Sequence, residues 1–213
     1  MIIWIASYPK SGNTWVRSFL TAYYFCENGI FDIKKLSLIE DYPNKQFFKE
    51  KVKQGEIHKH WETSQKDICE QKKVKFLKTH NSLITAFGND FTKPEYSLGF
   101  IYIIRDPRNV ITSVKNHNDL DSYDQALKFM QDENKVLEDY PHLKNYAKTN
   151  IVNSWRINYQ SWLSNKSFRK LIVRYEDMVQ NPNQTFEKLV VFVNTLMRFD
   201  NKIDQKKLKN AID

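Results

Sequence analysis

The chain has 213 residues, of which 41% are hydrophobic and 14% aromatic, which excludes a disordered or low-complexity protein and suits one domain with a real core. Its formal net charge of +8 favours an anionic partner, such as a nucleotide, a nucleic acid, a phosphorylated or sulfated substrate, or a membrane surface. No run approaches the roughly 20 apolar residues of a membrane span, and Met1–Ile5 is too short for a signal peptide, so we expect a cytoplasmic protein.

The first half of the chain alternates strand and helix patterns. Ile2–Ser7 is a continuous apolar run, which predicts a strand buried on both faces. Asn13–Cys26 has apolar residues at helical spacing, beginning at Val16. Two further short apolar runs, Val74–Lys78 and Phe100–Ile104, predict the next strands.

The second half continues the alternation. Asp106-Pro107 is typical of a helix N-cap followed by proline at the first helical position. Helices are also predicted within Asp119–Tyr146, over Asn153–Leu163 and from Asn181-Pro182, and a strand at Leu171–Tyr175. Together these patterns predict an α/β domain with a mostly parallel sheet.

The loop between the first strand and the first helix reads Ser7-Tyr8-Pro9-Lys10-Ser11-Gly12-Asn13-Thr14-Trp15. A strand that feeds a tight loop opening a helix directs backbone N–H groups at one point, where the helix dipole favours an anion. Gly12 allows the backbone to approach that anion, and Lys10 brings a positive charge. Ser11 and Thr14 bring hydroxyl groups. The pattern suits a phosphate ester.

Trp15 offers a flat face on which a purine could lie. The loop differs from the Walker A motif, because Lys10 precedes the only glycine and the expected first glycine is absent. An ordinary ATP- or GTP-hydrolysing site is therefore disfavoured. A simple turn that caps the helix is the structural alternative.

This loop resembles the 5′-phosphosulfate loop of the cytosolic-type and bacterial-like sulfotransferases, which use 3′-phosphoadenosine 5′-phosphosulfate (PAPS) as the sulfuryl donor. The resemblance continues in order at three further places. It implies a P-loop-like three-layer α/β/α fold with a central, mostly parallel sheet flanked by helices, in a single sulfotransferase domain over residues 1–213. The loop residues it assigns to the donor are Lys10, Ser11, Gly12, Asn13, Thr14 and Trp15.

The second match is Tyr102–Ser113. In the family, the arginine and the serine at the positions of Arg105 and Ser113 bind the 3′-phosphate of the donor. An arginine at the carboxyl end of a strand points to where open α/β sheets bind ligands, and its guanidinium can grip a phosphate with two hydrogen bonds. The alternative is a structural ion pair between Arg105 and Asp106 or Asp177.

The third match is Phe76–His80. The resemblance implies that His80 is the general base that deprotonates the acceptor and that Lys78 assists near the transferred group. Histidine suits this role because its unperturbed pKa of about 6.5 lies near the operating pH. His58 and His60 could imitate a metal pair, but they lack further ligands at a suitable spacing, so we expect a loop there and no metal.

The fourth match is Leu171–Met178, in which the resemblance places Tyr175 against the adenine of the donor. The alternative is that Tyr175 packs in the core. The Arg-Lys-Gly-x-x-Gly element by which family members close over the donor has no counterpart, and Asp200–Asp213 resembles the helix upstream of it. We therefore expect a domain that lacks this donor-closing segment.

The resulting prediction is a PAPS-dependent sulfotransferase that modifies a hydroxyl or an amine, with Lys10 offsetting charge on the leaving group. The expected partners are a nucleotide donor and a small-molecule or glycan acceptor, with no nucleic acid and no metal. The acceptor pocket is predicted within Ile30–Lys73 and His117–Thr149. Acceptor identity and oligomeric state stay open. The alternatives are a P-loop small-molecule kinase and a non-catalytic nucleotide-binding module.

Overall fold

The centre of the protein is a parallel five-stranded sheet in the order β2-β3-β1-β6-β9. The structure, a computed structural model, describes residues 1–138, 142, 144, 146–200 and 202–213. The strands in chain order are β1 (Ile2–Ser7), β2 (Glu40–Asp41), β3 (Lys75–Thr79), β4 (Thr85–Ala86), β5 (Asn89–Asp90), β6 (Ser97–Ile104), β7 (Val136–Leu137), β8 (Asn150–Ile151) and β9 (Lys170–Arg174).

Helices connect the strands, and several begin where the sequence provides a cap. They are α1 (Asn13–Phe25), α2 (Trp61–Glu70), α3 (Pro107–His117), α4 (Tyr123–Gln131), α5 (Trp155–Leu163), α6 (Tyr175–Gln180), α7 (Pro182–Met197) and α8 (Gln205–Ile212). At the start of α3, the Asp106 side chain accepts a hydrogen bond from the Arg108 N–H. Among the described residues, every helix is too short or too polar to cross a bilayer.

Alternation along β1 creates the two faces of the sheet. Ile3 and Ile5 are buried against α1 and α7 in a cluster that contains Phe186. Trp4 is buried on the opposite face, in a cluster that contains Trp162 of α5. Helices therefore cover both faces of a parallel sheet, which confirms the predicted three-layer α/β/α architecture.

Some elements differ from the prediction. Within Asp119–Tyr146 only α4 forms an α-helix among the described residues, and β7 pairs there with β8 in an antiparallel ladder. Residues 139–141, 143 and 145 lie outside the described residues. Tyr175 begins α6 instead of ending a strand, and His58 and His60 lie in a 3₁₀ turn instead of a loop. The strand β2 was not predicted, because two residues carry no periodic signal.

Parallel pairing places the carboxyl ends of the main strands side by side. Ala6 lies opposite Thr79, and Ser7 lies opposite Ile103. Ile104 in turn lies opposite the last residue of β9. The segments that follow β1, β3, β6 and β9 therefore meet at one edge of the sheet, where open α/β sheets bind ligands.

Candidate active site

A cavity of about 760 Å³ opens at this edge of the sheet. Its wall includes almost all residues that the sequence singled out: Lys10, Gly12, Asn13, Thr14, Trp15, Lys78, His80, Arg105, Ser113 and Tyr175. Ser11 does not line the cavity but is buried directly beside it, within the same loop. Residues far apart in the chain thus share one cavity.

The loop after β1 forms a cradle at the start of α1. Gly12 is the N-cap of α1 and has a φ of 98°, in the left-handed region. The Trp15 N–H donates to the Gly12 carbonyl at 3.1 Å, whereas the N–H groups of Asn13 and Thr14 have no acceptor within the helix and are available to an anion. The Ser11 hydroxyl is buried and, within the described residues, has no hydrogen-bond partner. Lys10 also has a left-handed backbone, with a φ of 67°, which is uncommon for lysine and frequent at functional sites.

The side chain of Asn13 connects the loop to β1. Its side-chain amide donates hydrogen bonds to the Ile5 carbonyl at 3.2 Å and to the Ser7 hydroxyl at 3.1 Å. The side chain is therefore engaged with β1, and only its backbone N–H can serve an anion in the cradle. The half-buried Trp15 ring lies 6.2 Å from that of Tyr175, centroid to centroid. The contact of Trp15 with a purine stays a prediction.

Three of the predicted motifs interlock around Arg105. Its Nη1 donates a hydrogen bond to the Lys10 carbonyl at 3.1 Å, and its guanidinium carbon lies 4.1 Å from the centroid of the Tyr175 ring. The same ring packs against Gly12 so closely that a Cβ there would lie 2.5 Å from Tyr175 Cδ2. Arg105 Nε is buried and has no hydrogen-bond partner among the described residues. This nitrogen suits a phosphate oxygen.

The alternative of a structural ion pair for Arg105 is wrong. Asp106 forms a salt bridge with Arg108, and Asp177 Oδ1 lies 3.9 Å from Arg174 Nη1. Glu176 accepts a hydrogen bond from the Asp106 N–H at 2.9 Å, so it ties the start of α3 to α6. The acidic groups near Arg105 therefore have other partners.

His80 follows β3 and is oriented by the end of β1. Its Nδ1 lies 2.7 Å from the Ser7 carbonyl oxygen. Because a carbonyl oxygen only accepts, Nδ1 carries the proton and Nε2 keeps a free lone pair. Burial, and secondly the nearby Lys78 charge, lowers the pKa of His80 to about 3. The imidazole is therefore neutral at physiological pH, which a general base must be.

Two asparagines hold the backbone of His80. Asn150 Oδ1 accepts the His80 N–H at 3.2 Å, and Asn158 Nδ2 donates to the His80 carbonyl at 3.0 Å. Asn158 is fully buried, and its Oδ1 accepts a hydrogen bond from the Tyr102 hydroxyl at 2.7 Å. Neither asparagine was predicted from the sequence, because an isolated asparagine carries no motif.

Further residues reach the cavity that sequence reasoning did not identify: Arg17, Asp41, Tyr42, Pro43, Lys148 and Asn150. Of these, Arg17 could have been predicted from the sequence. It lies about one helical turn after Thr14 on α1, and residues at this spacing share one side of a helix. Asp41 and Tyr42 belong to the predicted acceptor segment Ile30–Lys73, and Lys148 to the predicted segment His117–Thr149.

The low pKa of His80 predicts a pH-dependent stability. Below the unfolded pKa of about 6.5, the unfolded chain binds a proton that the folded protein does not bind. The free energy of unfolding should therefore fall as the pH drops from about 6.5 toward 3, by up to about 1.4 kcal/mol per pH unit. Urea unfolding of the wild type and of His80→Gln between pH 7 and 4 measures this contribution. Parallel pH profiles would contradict it.

The fold and the cavity define an α/β protein in which a loop that opens a helix lines a cavity at the carboxyl edge of a parallel sheet. A family model described as "Sulfotransferase domain" matches residues 2–210, and the chain belongs to this family. The chain is 27% identical over 199 residues to Sulfotransferase 1 family member D1 of Mus musculus, an alignment that covers 90% of this chain and 58% of the relative.

Two solved structures share the fold. Mouse sulfotransferase SULT7A1 complexed with PAP superimposes with a TM-score of 0.52 at 16% identity, over 98% of this chain and 61% of that one. Retinol dehydratase in complex with androsterone and inactive cofactor PAP superimposes with a TM-score of 0.53 at 14% identity, over 99% and 63%. The chain thus spans about three fifths of the length of these relatives.

Proposed function

We propose that this chain, as a single sulfotransferase domain, transfers a sulfuryl group from PAPS to a hydroxyl or an amine of an acceptor. The observation that carries the proposal is the contact of Arg105 with both Lys10 and Tyr175, in the cavity that His80 also lines. The PAP bound in both solved relatives supports a donor of this class. Membership of the family favours sulfuryl transfer over a P-loop kinase.

The donor-binding roles follow from the placement of the side chains. The loop would hold the 5′-phosphosulfate through its N–H groups, including that of Asn13, and through the hydroxyls of Ser11 and Thr14. Arg105 and Ser113 would hold the 3′-phosphate, since both line the same cavity. The buried, unpartnered atoms Ser11 Oγ and Arg105 Nε are what such a ligand would satisfy. The aromatic rings of Trp15 and Tyr175 would flank the adenine.

His80 is the proposed general base. Nε2 takes the proton of the acceptor while the acceptor atom forms its bond to sulfur. The bond from sulfur to the bridging oxygen breaks, and its electron pair leaves with 3′,5′-diphosphoadenosine. Lys10 offsets the charge on that oxygen, and Lys78 stabilises the transferred oxygens. Negative charge beside His80 favours the imidazolium, so the bound donor should raise its pKa toward the working range.

The acceptor would be a small molecule or a glycan that enters beside Tyr42 and Lys148, because both line the cavity and belong to the segments predicted to form the acceptor pocket. None of the proposed steps for this chain's residues calls for a metal ligand. A cytoplasmic location, where PAPS would be available, is part of the proposal.

Calorimetry with 3′,5′-diphosphoadenosine, ADP and ATP tests the donor assignment. The 3′-phosphate contact should make 3′,5′-diphosphoadenosine bind more tightly than ADP, without Mg²⁺. Arg105→Ala should weaken 3′,5′-diphosphoadenosine binding by about 10- to 100-fold and ADP binding by clearly less, since a hydrogen-bonded charge contributes about 1.5–3 kcal/mol and ADP lacks the 3′-phosphate. Arg108→Ala, beside it but 88% exposed, is the matched control.

Two results would contradict the proposal. Mg²⁺-dependent turnover of ATP would indicate a kinase. Binding to arbitrary oligonucleotides that falls steeply with salt, with no preference for 3′,5′-diphosphoadenosine, would indicate a nucleic-acid-binding module.

A further inference from the structure

One carboxylate joins two cations at the wall of the cavity. Asp41 Oδ1 lies 3.3 Å from Lys78 Nζ and 3.5 Å from Arg17 Nη1. Lys78 belongs to β3, the strand that leads to His80, and Arg17 belongs to α1, the helix that grows out of the loop. Asp41 therefore connects the proposed donor side of the cavity to the proposed transfer side.

The backbone fixes Asp41 at this position. β2 pairs with β3 in parallel, with Asp41 directly opposite Lys78. The Tyr42 N–H donates a hydrogen bond to the Lys78 carbonyl at 2.7 Å. Arg17 is held as well, because its Nη2 donates to the Ile39 carbonyl at 2.6 Å. Main-chain pairing of β2 with β3 thus places the carboxylate, and a side-chain hydrogen bond to the Ile39 carbonyl places Arg17 beside it.

The charges around Lys78 make a counterion necessary. Its side chain is only 19% exposed, and burial lowers the pKa of its ammonium group. Among the described residues, the other basic groups that act on it include Arg17 on α1, Lys148 before β8 and His80 beyond β3, and both Arg17 and Lys148 disfavour its positive charge. The negative charge of Asp41 opposes these effects, because it favours the charged form of Lys78. Without it, the buried ammonium ion would keep the repulsion of Arg17 and Lys148 but lose the attraction of this carboxylate.

We propose that Asp41 is a positioning residue for Lys78: its carboxylate holds the ammonium group at the point of transfer and keeps that group charged. The inference rests on the function proposed above. Asp41 itself is a poor proton acceptor, because Lys78 and Arg17 outweigh burial and hold its pKa below the usual range. It acts through Lys78 and does not need to touch the acceptor.

The direct test measures the ionisation of Lys78 in the whole chain. Brief exposure to acetic anhydride over a range of pH, read by mass spectrometry, gives the midpoint at which Lys78 becomes reactive. In Asp41→Asn this midpoint should fall by about 1–3 pH units, because an opposite charge at this distance has been removed. Glu40→Gln is the matched control, since it removes a carboxylate of the same strand that pairs with Lys75 instead.

The kinetic test uses the pH dependence of transfer. In Asp41→Asn the alkaline limb of the kcat profile should move to lower pH by the same interval, with kcat lowered by about 10-fold or more at its maximum. The affinity for 3′,5′-diphosphoadenosine should stay within a few-fold, and Glu40→Gln should retain the wild-type profile.

The outcomes separate this inference from the proposed function. An unchanged Lys78 midpoint in Asp41→Asn overturns the inference, whether or not the protein transfers sulfuryl groups. Failure of the wild type to bind 3′,5′-diphosphoadenosine overturns the proposed function but not the shift in midpoint. If Asp41→Asn does not fold, Arg17→Met gives the opposite test: removal of a like charge should raise the Lys78 midpoint, and a fall would overturn the inference.

Discussion

Replacement of His80 by alanine is expected to lower kcat for sulfuryl transfer by about 10²- to 10⁴-fold, the usual contribution of a general base. The reason is that Nε2 is the free nitrogen of a neutral ring whose Nδ1 is held by the Ser7 carbonyl at 2.7 Å. The affinity for 3′,5′-diphosphoadenosine should stay within a few-fold, because the proposed donor site consists of Arg105 and the loop and does not include His80. Steady-state kinetics and calorimetry on the same preparation measure both quantities.

His60→Ala is the matched control for this experiment. His60 lies in a 3₁₀ turn and packs against Phe48, with 5.8 Å between ring centroids, outside the cavity. The His60→Ala variant should retain the wild-type kcat. Added imidazole should restore part of the activity of His80→Ala and none of that of a variant damaged in folding. Wild-type kcat in His80→Ala would remove the base from the mechanism.

The sequence predicted an α/β domain with a mostly parallel sheet because its main strands are long enough to show their pattern. Ile2–Ser7 alternates between two buried faces and therefore reads as a continuous apolar run. Once the sheet is parallel, the carboxyl ends of β1, β3, β6 and β9 must meet, so the order of the motifs already predicts a common site. Lys10, His80, Arg105 and Tyr175 do converge there.

The supporting residues were not predictable because their partners are distant in the chain. Asp41 reaches Lys78 through a two-residue strand at the edge of the sheet, which leaves no periodic pattern. Asn150 and Asn158 reach the backbone of His80 from about 70 and 78 residues away. Such contacts exist only after the chain has folded, and single polar residues give no sign of them.

Asn13 illustrates the limit of a motif. The loop pattern identifies it as part of the donor site, yet its side-chain amide turns inward to the Ile5 carbonyl and the Ser7 hydroxyl. Ser7 also holds His80, so the loop and the proposed base share one support at the end of β1. A sequence motif therefore states which residues belong together but not which atoms face the ligand.

Gly12→Ala is expected to abolish donor binding and to destabilise the fold. An alanine at a φ of 98° costs about 1–2 kcal/mol in backbone energy. Its Cβ would also lie 2.5 Å from Tyr175 Cδ2 and 3.3 Å from Met178 Cε, and overpacking of this kind costs a further 1–3 kcal/mol or so. Tyr175 must then move, and Arg105 stacks on it, so the affinity for 3′,5′-diphosphoadenosine should fall at least about 100-fold.

The Gly55→Ala variant separates the backbone cost of a positive φ from the steric clash of the added Cβ with Tyr175. Gly55 also has a left-handed backbone, with a φ of 72°, but an added Cβ there meets nothing within 4 Å. It should therefore lose only about 1–2 kcal/mol of unfolding free energy and bind 3′,5′-diphosphoadenosine like the wild type. Equal losses of stability in the two variants, or intact binding in Gly12→Ala, would mean that the ring of Tyr175 does not brace the loop. Since the contact of Arg105 with that ring carries the proposed donor site, the comparison tests the architecture of the site without any acceptor.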